Sequence, residues 1–405
     1  MKTTLLNFAT VSLLLFAGCS KEGEQNAKDN NTNNLKATAA INAGTVYQVV
    51  DGIGGASVWS GTFSDADANA CFSNGNSNQL GMTICRVRAD PNGNNASDIT
   101  NAQKAHARGA KVLMSVWSPP ASMKSNNSTV GGSLNTASYA AYATWLSNAK
   151  NSFGADVVSI QNEPNITVTY ESCSWNSTQL LNFCKNNAQN IGAPVMMPEA
   201  FNFDDAYSDP TLNDATAASH ISYLGGHIYG GGLRDHTNAR NKGKKVWMTE
   251  HYYDNGDIST FLSLSKEIGD CFANYMNAYV YWYVLKGTGN CLLVSNGTPN
   301  KKGYMFGQWS KFVRPGYQRI SITSNPQSGL YVYAFKNGGQ IIVVAVNQNT
   351  SVVNQQFTLT GASITGLNRY TTSSSKNIAQ TSFAVTNNSW GVNIDAQSTT
   401  TYVSY

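Results

Sequence analysis

The sequence predicts an α/β protein: a (β/α)8 TIM barrel with a side β-sandwich domain. Three observations predict it. From Val49 onward, short apolar runs alternate with longer amphipathic segments, the pattern of repeated βα units. Eight such repeats fit within about 250 residues, the usual length of a TIM barrel. After Arg314-Pro315-Gly316-Tyr317 the texture changes to short alternating β patterns without helical spacing.

The barrel strands are expected at Gly52–Trp59, Met82–Ala89, Lys111–Trp117, Asp156–Asn162, Ala193–Pro198, Ile221–Tyr229, Lys244–Glu250 and Ala278–Val284. Helical spacing lies between them, as at Ile99–Arg108 with Gly109 to stop it, Ser138–Lys150, and Thr178–Asn190 with Ser177 as N-cap. In the last ninety or so residues, Gly329-Leu-Tyr-Val-Tyr-Ala-Phe-Lys and Gln340-Ile-Ile-Val-Val-Ala-Val flank the turn Asn337-Gly338-Gly339, a hairpin of a small sandwich. The expected layout is a leader at 1–18, a flexible tether at 19–37, the barrel at 38–313 and the sandwich at 314–405.

The stretch Asp156-Val-Val-Ser-Ile-Gln-Asn-Glu-Pro164 is the most informative. Val157, Val158 and Ile160 build a buried strand, and Pro164 ends it because it cannot donate to a ladder. An amide and a carboxylate, Asn162 and Glu163, then stand at the carboxyl end, where barrel enzymes place catalytic groups. Lys244-Lys-Val-Trp-Met-Thr-Glu-His251 climbs the same way to Glu250. Two carboxylates on two strand tips are what glycoside hydrolysis needs: one protonates the leaving oxygen, the other attacks or stabilises an oxocarbenium-like centre. The other strand ends are crowded with polar and aromatic groups: Arg86 and Arg88, Trp117, Glu199, His227 and Tyr229, and Tyr281-Trp282-Tyr283. Tryptophan offers a flat apolar face for a sugar ring and a polar edge.

Bulk composition agrees with a neutral, hydroxyl-rich ligand. Only 12% of the 405 residues are charged, while Tyr (20) and Trp (8) are plentiful. A net charge of +4 over this length is too diffuse for nucleic acid. The chain has no CxxC and no clustered histidine, so a structural zinc site is not expected, and no motif calls for a cofactor or another metal. Nor is there a nucleophile elbow of the esterase kind.

The N-terminus reads as an address. Lys2 precedes the apolar run Val11–Ala17, too short to span a bilayer, and Phe16-Ala17-Gly18-Cys19 resembles a bacterial lipoprotein signal. That implies cleavage before Cys19 and a membrane anchor through its lipid, with Ser20 to Ala37 as a polar tether. An ordinary secretory signal is the alternative. Six further cysteines see an oxidising compartment, and Cys173 with Cys184 and Cys271 with Cys291 are the local disulfides considered.

With these motifs assembled, the chain resembles glycoside hydrolase family 30, on the glucuronoxylanase branch of bacterial endo-xylanases. The resemblance is carried by Asp51-Gly-Ile-Gly-Gly-Ala56, Ser159-Ile-Gln-Asn-Glu-Pro164, Tyr170-Glu-Ser-Cys173, Gly226-His-Ile-Tyr-Gly230, Val246-Trp-Met-Thr-Glu-His-Tyr252 and Lys311-Phe-Val-Arg-Pro-Gly316. It implies that residues 38–46 add strand to the side domain and that anomeric configuration is retained. It makes Glu163 the acid/base, Glu250 the nucleophile and Asn162 the partner of the sugar 2-hydroxyl. Tyr229 would bond the nucleophile, Trp282 would lie under the bound sugar, and Trp59, Trp117 and His227 would line the cleft. The polysaccharide xylan is the implied substrate, and a monomer is expected.

One departure matters. Where the glucuronoxylanase pattern has an arginine just after the eighth strand, paired with a glucuronate branch, this chain reads Tyr283-Val-Leu-Lys-Gly-Thr-Gly289. Lys286 offers a mobile point charge in place of a planar fork. The expectation is an endo-β-1,4-xylanase without strict need for glucuronate. The alternatives are glucuronoxylan specificity with Lys286 or another loop supplying the cation, another family 30 activity such as an exo-acting glucosidase, and a non-catalytic polysaccharide-binding lipoprotein.

Overall fold

The computed structural model describes residues 37–254, 256–285 and 292–405. The leader, Cys19 and nearly all of the tether, with Lys286 and Cys291, lie outside the described residues. The first strand, β1 (Thr38–Val49), precedes the barrel. Eight parallel strands then close on themselves in chain order: β2 (Gly52–Ala56), β3 (Ile84–Arg88), β4 (Lys111–Ser115), β5 (Val157–Ser159), β6 (Val195–Ala200), β7 (Tyr223–His227), β8 (Lys245–Glu250) and β9 (Ala278–Tyr281). Closure is made by β2, which pairs with β3 on one side and β9 on the other. All eight expected strands are present, each within the span expected for it or a residue or two beyond.

The helices are α1 (Asp65–Phe72), α2 (Ala96–His106), α3 (Tyr139–Phe153), α4 (Ser177–Asn186), α5 (Asp205–Asn213), α6 (Ala215–Ser219), α7 (Thr237–Asn241), α8 (Ile258–Ala273) and α9 (Lys301–Ser310). A two-residue hairpin, β10 (Val294–Ser295) with β11 (Thr298–Pro299), comes just before α9. The helix ends shift by up to four residues from expectation, and two expected caps differ. Asn176, rather than Ser177, caps α4, because its side chain accepts from Gln179 N while Gln179 reaches back to the Asn176 amide. And α2 ends at His106 with Ala107 as its C-cap, leaving Gly109 as a left-handed residue (φ 81°) in the turn beyond. No helix among the described residues is long and apolar enough to cross a membrane.

Side-chain alternation along the strands builds the barrel. Ile84, Leu113, Val157, Met196, Tyr223, Trp247, Ala278 and Val280 fill its interior as one buried cluster. Their neighbours Cys85, Val112, Val158, Met197, Leu224, Val246 and Tyr279 face outward into the larger core beneath the helices. This parity carries upward: two residues at a time, it sends Arg86, Trp117, Glu163, His227 and Trp282 to the interior side. The strands also approach closely at the Asp51–Ala56 motif, where a Cβ on Gly54 would lie 1.9 Å from the Ile84 carbonyl oxygen.

The expected sandwich is one continuous sheet folded over. Its strands are β12 (Gln318–Ile322), β13 (Leu330–Asn337), β14 (Gln340–Asn347), β15 (Val353–Thr360), β16 (Gly366–Thr372), β17 (Ala379–Ala384), β18 (Ser389–Ile394) and β19 (Ser398–Ser404). With β1 they run in the order β17-β16-β19-β14-β13-β12-β1-β15-β18. In a flat sheet β19 and β15 would stand about 24 Å apart. The rings of Phe357 on β15 and Tyr402 on β19 are 6.0 Å apart, so the two wings close on a shared core. The central strands are buried on both faces: Ile341, Val343 and Ala345 point into that core, and Ile342, Val344 and Val346 into the barrel's. At this seam Gly269 of α8 lets the Tyr333 ring sit against the helix, and Tyr333 donates to Asp270 Oδ1 at 2.8 Å.

The disulfide between Cys173 and Cys184 is not formed. Both are free buried thiols, packed in the main core as small apolar groups. Cys271 is free and buried on α8, and its suggested partner Cys291 lies outside the described residues.

Candidate active site

At the carboxyl end of the barrel the strand tips converge on a cleft of about 580 Å³. Glu163 and Glu250 both open into it, each almost fully buried. One oxygen of each carboxylate and a ring nitrogen of His227 lie within 4.8 Å of one another.

Parity alone does not deliver both carboxylates. Along β8, Val246 and Met248 face outward, so Glu250 would follow them away from the cleft. The pairing with β7 shifts register there: Gly226 faces Met248 but His227 faces Glu250, skipping Thr249. The shift turns Glu250 inward. Next door, β6 skips Glu199 in the same way, between Pro198 and Ala200. Glu199 and Glu163 both adopt left-handed backbone, at φ 48° and 47°, a conformation non-glycine residues hold only where their surroundings impose it.

Arg86, at the interior of β3 and fully buried, ties the tips together. Its Nη1 donates to Glu250 Oε2 at 2.5 Å, its Nη2 to Asn162 Oδ1 at 2.7 Å, and its Nε to Ser115 Oγ at 3.0 Å. Nη2 also lies 3.0 Å from Glu199 Oε1. The guanidinium sits over the Trp117 ring at 4.6 Å. Tyr229 donates its hydroxyl to Glu250 Oε1 at 3.0 Å. Burial first, then the Glu250 charge, pushes the Tyr229 phenol far above its usual range, so it stays a donor.

His227 binds Glu163 through Nδ1 at 2.8 Å, and its Nε2 lies 3.9 Å from both Glu199 and Glu250. Burial opposes its charge, but Glu250, Glu163 and Glu199 outweigh burial and raise it to about 9. Burial likewise opposes the Glu199 charge, yet Arg86 and His227 hold that carboxyl down to about 2. The Tyr170 hydroxyl, 3.5 Å from Glu163 Oε2, is pushed up to about 12 by burial and the two cleft carboxylates.

The tryptophans form one wall. Trp117 and Trp282 lie 5.7 Å apart at 32°, and Trp59 stands across them at 5.4 and 5.9 Å with 40% of its surface exposed. Tyr170, Phe201 and Tyr252 also line the cleft. Of the residues singled out from sequence, Glu163, Glu250, Tyr229, Trp59, Trp117 and Trp282 line it. Asn162 and His227 sit buried just beneath, in the Arg86 and Glu163 bonds. Lys286 and Cys19 lie outside the described residues. Arg86, Glu199 and Tyr170 had no role assigned from sequence. An arginine in the middle of a short barrel strand, at interior parity and flanked by Cys85 and Val87, is the signal that marks the first of them.

Glu163, His227 and Glu250 could also supply a metal with three ligand atoms. Arg86 already gives Glu250 a cation at 2.5 Å, and its charge disfavours a divalent ion in the same place.

A closed parallel barrel with paired carboxylates, a buried amide beside them and an aromatic wall at its carboxyl end defines a glycoside hydrolase. Comparison with known proteins narrows the class. The chain is 35% identical over 387 residues to glucuronoxylanase XynC of Bacillus subtilis (strain 168), covering 90% of each. Among solved structures, the family 30 subfamily 8 xylanase Xyn30A from Clostridium acetobutylicum superposes with a TM-score of 0.86 at 38% identity, covering 91% of this chain and 99% of that one. The family 30 endoxylanase from Clostridium papyrosolvens C71 follows at 0.83 and 36%, covering 91% and 100%. No family model matches the chain. The chain belongs to glycoside hydrolase family 30.

Proposed function

We propose that the protein is a retaining endo-β-1,4-xylanase that cuts the xylan backbone without strict need for glucuronate branches. The carrying observation is the spacing of Glu163 and Glu250, oxygens within 4.8 Å. Retaining pairs stand about 5–5.5 Å apart, and inverting pairs are wider because a water must fit between them. The xylanase relatives supply the substrate class.

Glu250 attacks the anomeric carbon as Glu163 gives its proton to the departing sugar oxygen; the C–O bond breaks and a glycosyl ester forms on Glu250. Water then adds at the same carbon, loses a proton to Glu163, and frees Glu250. Arg86 and Tyr229 fix the nucleophile from two sides and leave its attacking lone pair toward the cleft. Because Arg86 occupies Asn162 Oδ1, the amide NH2 of Asn162 is the end left for the sugar 2-hydroxyl. Trp282, Trp117 and Trp59 offer stacking faces for the xylose rings.

Two facts support relaxed specificity. The segment after β9 lacks the expected arginine, and the arginines at the cleft base are taken. Arg88 forks onto Glu171 and also bonds Asp90 at 2.9 Å, so it offers a glucuronate no free fork. The test is a product profile on 4-O-methylglucuronoxylan and on arabinose-substituted or unbranched xylan, with Glu250→Gln as control. Oligosaccharide ladders from both substrates support the reading. Products from the glucuronate-bearing polymer alone would mean that another residue replaces that arginine, Lys286 being the first to test.

We place the enzyme outside the cytoplasm on a lipid anchor at Cys19, with a barrel over 38–313 and a side domain over 314–405. The sequence of the leader supports this. Metabolic labelling with a radiolabelled fatty acid, lost in Cys19→Ala, tests it.

A further inference from the structure

Glu199 is the one carboxylate of this cluster that never meets the cleft. It is fully buried beneath Glu163 and Glu250, at the β6 register shift. Apart from its ion pair with Arg86, neither of its oxygens has a hydrogen-bond partner, and neither does His227 Nε2, which faces it at 3.9 Å. A buried anion held by Arg86 and a buried ring nitrogen without a hydrogen bond of its own thus face each other at 3.9 Å.

Building on the roles given to Glu163 and Glu250 above, we propose that Glu199 is a positioning residue for proton transfer. It is a fixed counter-charge that keeps His227 cationic through both steps and so sets when Glu163 carries its proton.

The charge inventory makes the case. The groups that face His227 are Glu163 from β5, Glu199 from β6, Glu250 from β8 and, one bond further, Arg86 from β3; Tyr229 lies beyond, ring centroid 6.1 Å away. Before glycosylation, with Glu163 protonated, Arg86 and His227 carry two positive charges against Glu199 and Glu250. After it, Glu250 is a neutral ester and Glu163, having given up its proton, is an anion. The two cations again face two anions. The buried site is neutral at both stages, and the proton on Glu163 comes and goes without uncompensated charge. Without Glu199 both stages carry one excess positive charge. His227 then sheds its proton at lower pH, since one of the anions that holds its charge is gone.

The test reads His227 directly. In the resting wild-type enzyme, imidazole 15N NMR should show both ring nitrogens of His227 protonated at pH 7. The cation should persist to about pH 9. In Glu199→Gln the midpoint should fall by about one unit or more, as removal of a charge within a few ångströms requires. The alkaline limb of kcat/KM on xylan should move the same way. Glu199→Asp, which keeps the charge, should restore both. A neutral His227 at pH 7 in the wild type overturns the proposal, even if Glu199→Gln does not fold. A Glu199→Gln enzyme that loses activity with an unmoved His227 midpoint and an unmoved pH profile also overturns it, leaving only a structural partner for Arg86. If the wild type does not cut xylan, the functional reading fails, while the His227 titration still decides the coupling.

Discussion

The amide of Glu163 donates to the carbonyl oxygen of Glu199 at 3.0 Å, joining the tips of β5 and β6 while both residues hold left-handed backbone. Such conformations cost about 1–3 kcal/mol each in non-glycine residues and persist only where the surroundings fix them. Here the fixing is done from below by Arg86, which holds Glu199, Asn162 and Glu250 at once.

Removing that guanidinium should therefore destabilise the fold as well as the chemistry. Arg86→Met leaves two buried carboxylates with only His227 as a cation, a change worth about 3–5 kcal/mol. Urea denaturation should show it, and adding Glu199→Gln should recover part of the loss, since the pair is coupled. A single mutant within about 1 kcal/mol of wild type would mean the cluster does not depend on Arg86.

Stability should also respond to pH through His227. Its folded value, about 9, lies above the ordinary 6.5, so the folded state binds the proton more tightly than the unfolded chain. The resulting stabilisation is full below about pH 6.5 and is lost as pH rises toward 9. It amounts to about 3 kcal/mol at most. The unfolding free energy of wild type should fall across that window, and His227→Asn should flatten the fall. Glu199 acts at the opposite end, where stability should drop as pH falls through its folded value near 2.

A third expectation concerns the seam between barrel and side sheet. An exposed helical glycine usually gains about 1 kcal/mol on change to alanine. At Gly269 a Cβ would lie 2.3 Å from the Tyr333 ring, which also bonds Asp270, so the ring has little room to give. Gly269→Ala should destabilise by about 1–3 kcal/mol, overpacking outweighing propensity. A higher melting temperature would show that the seam yields.

Much of this was legible in the residues because a barrel strand is a short apolar run and its side chains alternate. The runs located all eight strands, and parity explains why Arg86, Trp117, His227 and Trp282 share one interior with Glu163. Parity fails at Glu250 and Glu199, where the register shifts opposite β7 turn the side chains inward; nothing in a one-dimensional pattern announces a skipped residue. The side domain was legible as alternating strands, and the family resemblance gave it residues 38–46; that this strand bridges β12 and β15 to close one curled sheet is a pairing between distant segments that no local pattern states. Cys173 and Cys184 illustrate a related limit: close spacing in the chain suggested a bridge, and packing in the core left two thiols.

The central claim is that Glu163 and Glu250 act as a retaining pair. The most direct test is proton NMR of the products as they leave xylan, read before mutarotation, with Glu250→Gln as the inactive control. The β-anomer should appear first, and Glu250→Gln should slow its release by at least about a hundredfold. The α-anomer appearing first would mean inversion, and the roles given to the two carboxylates would not stand.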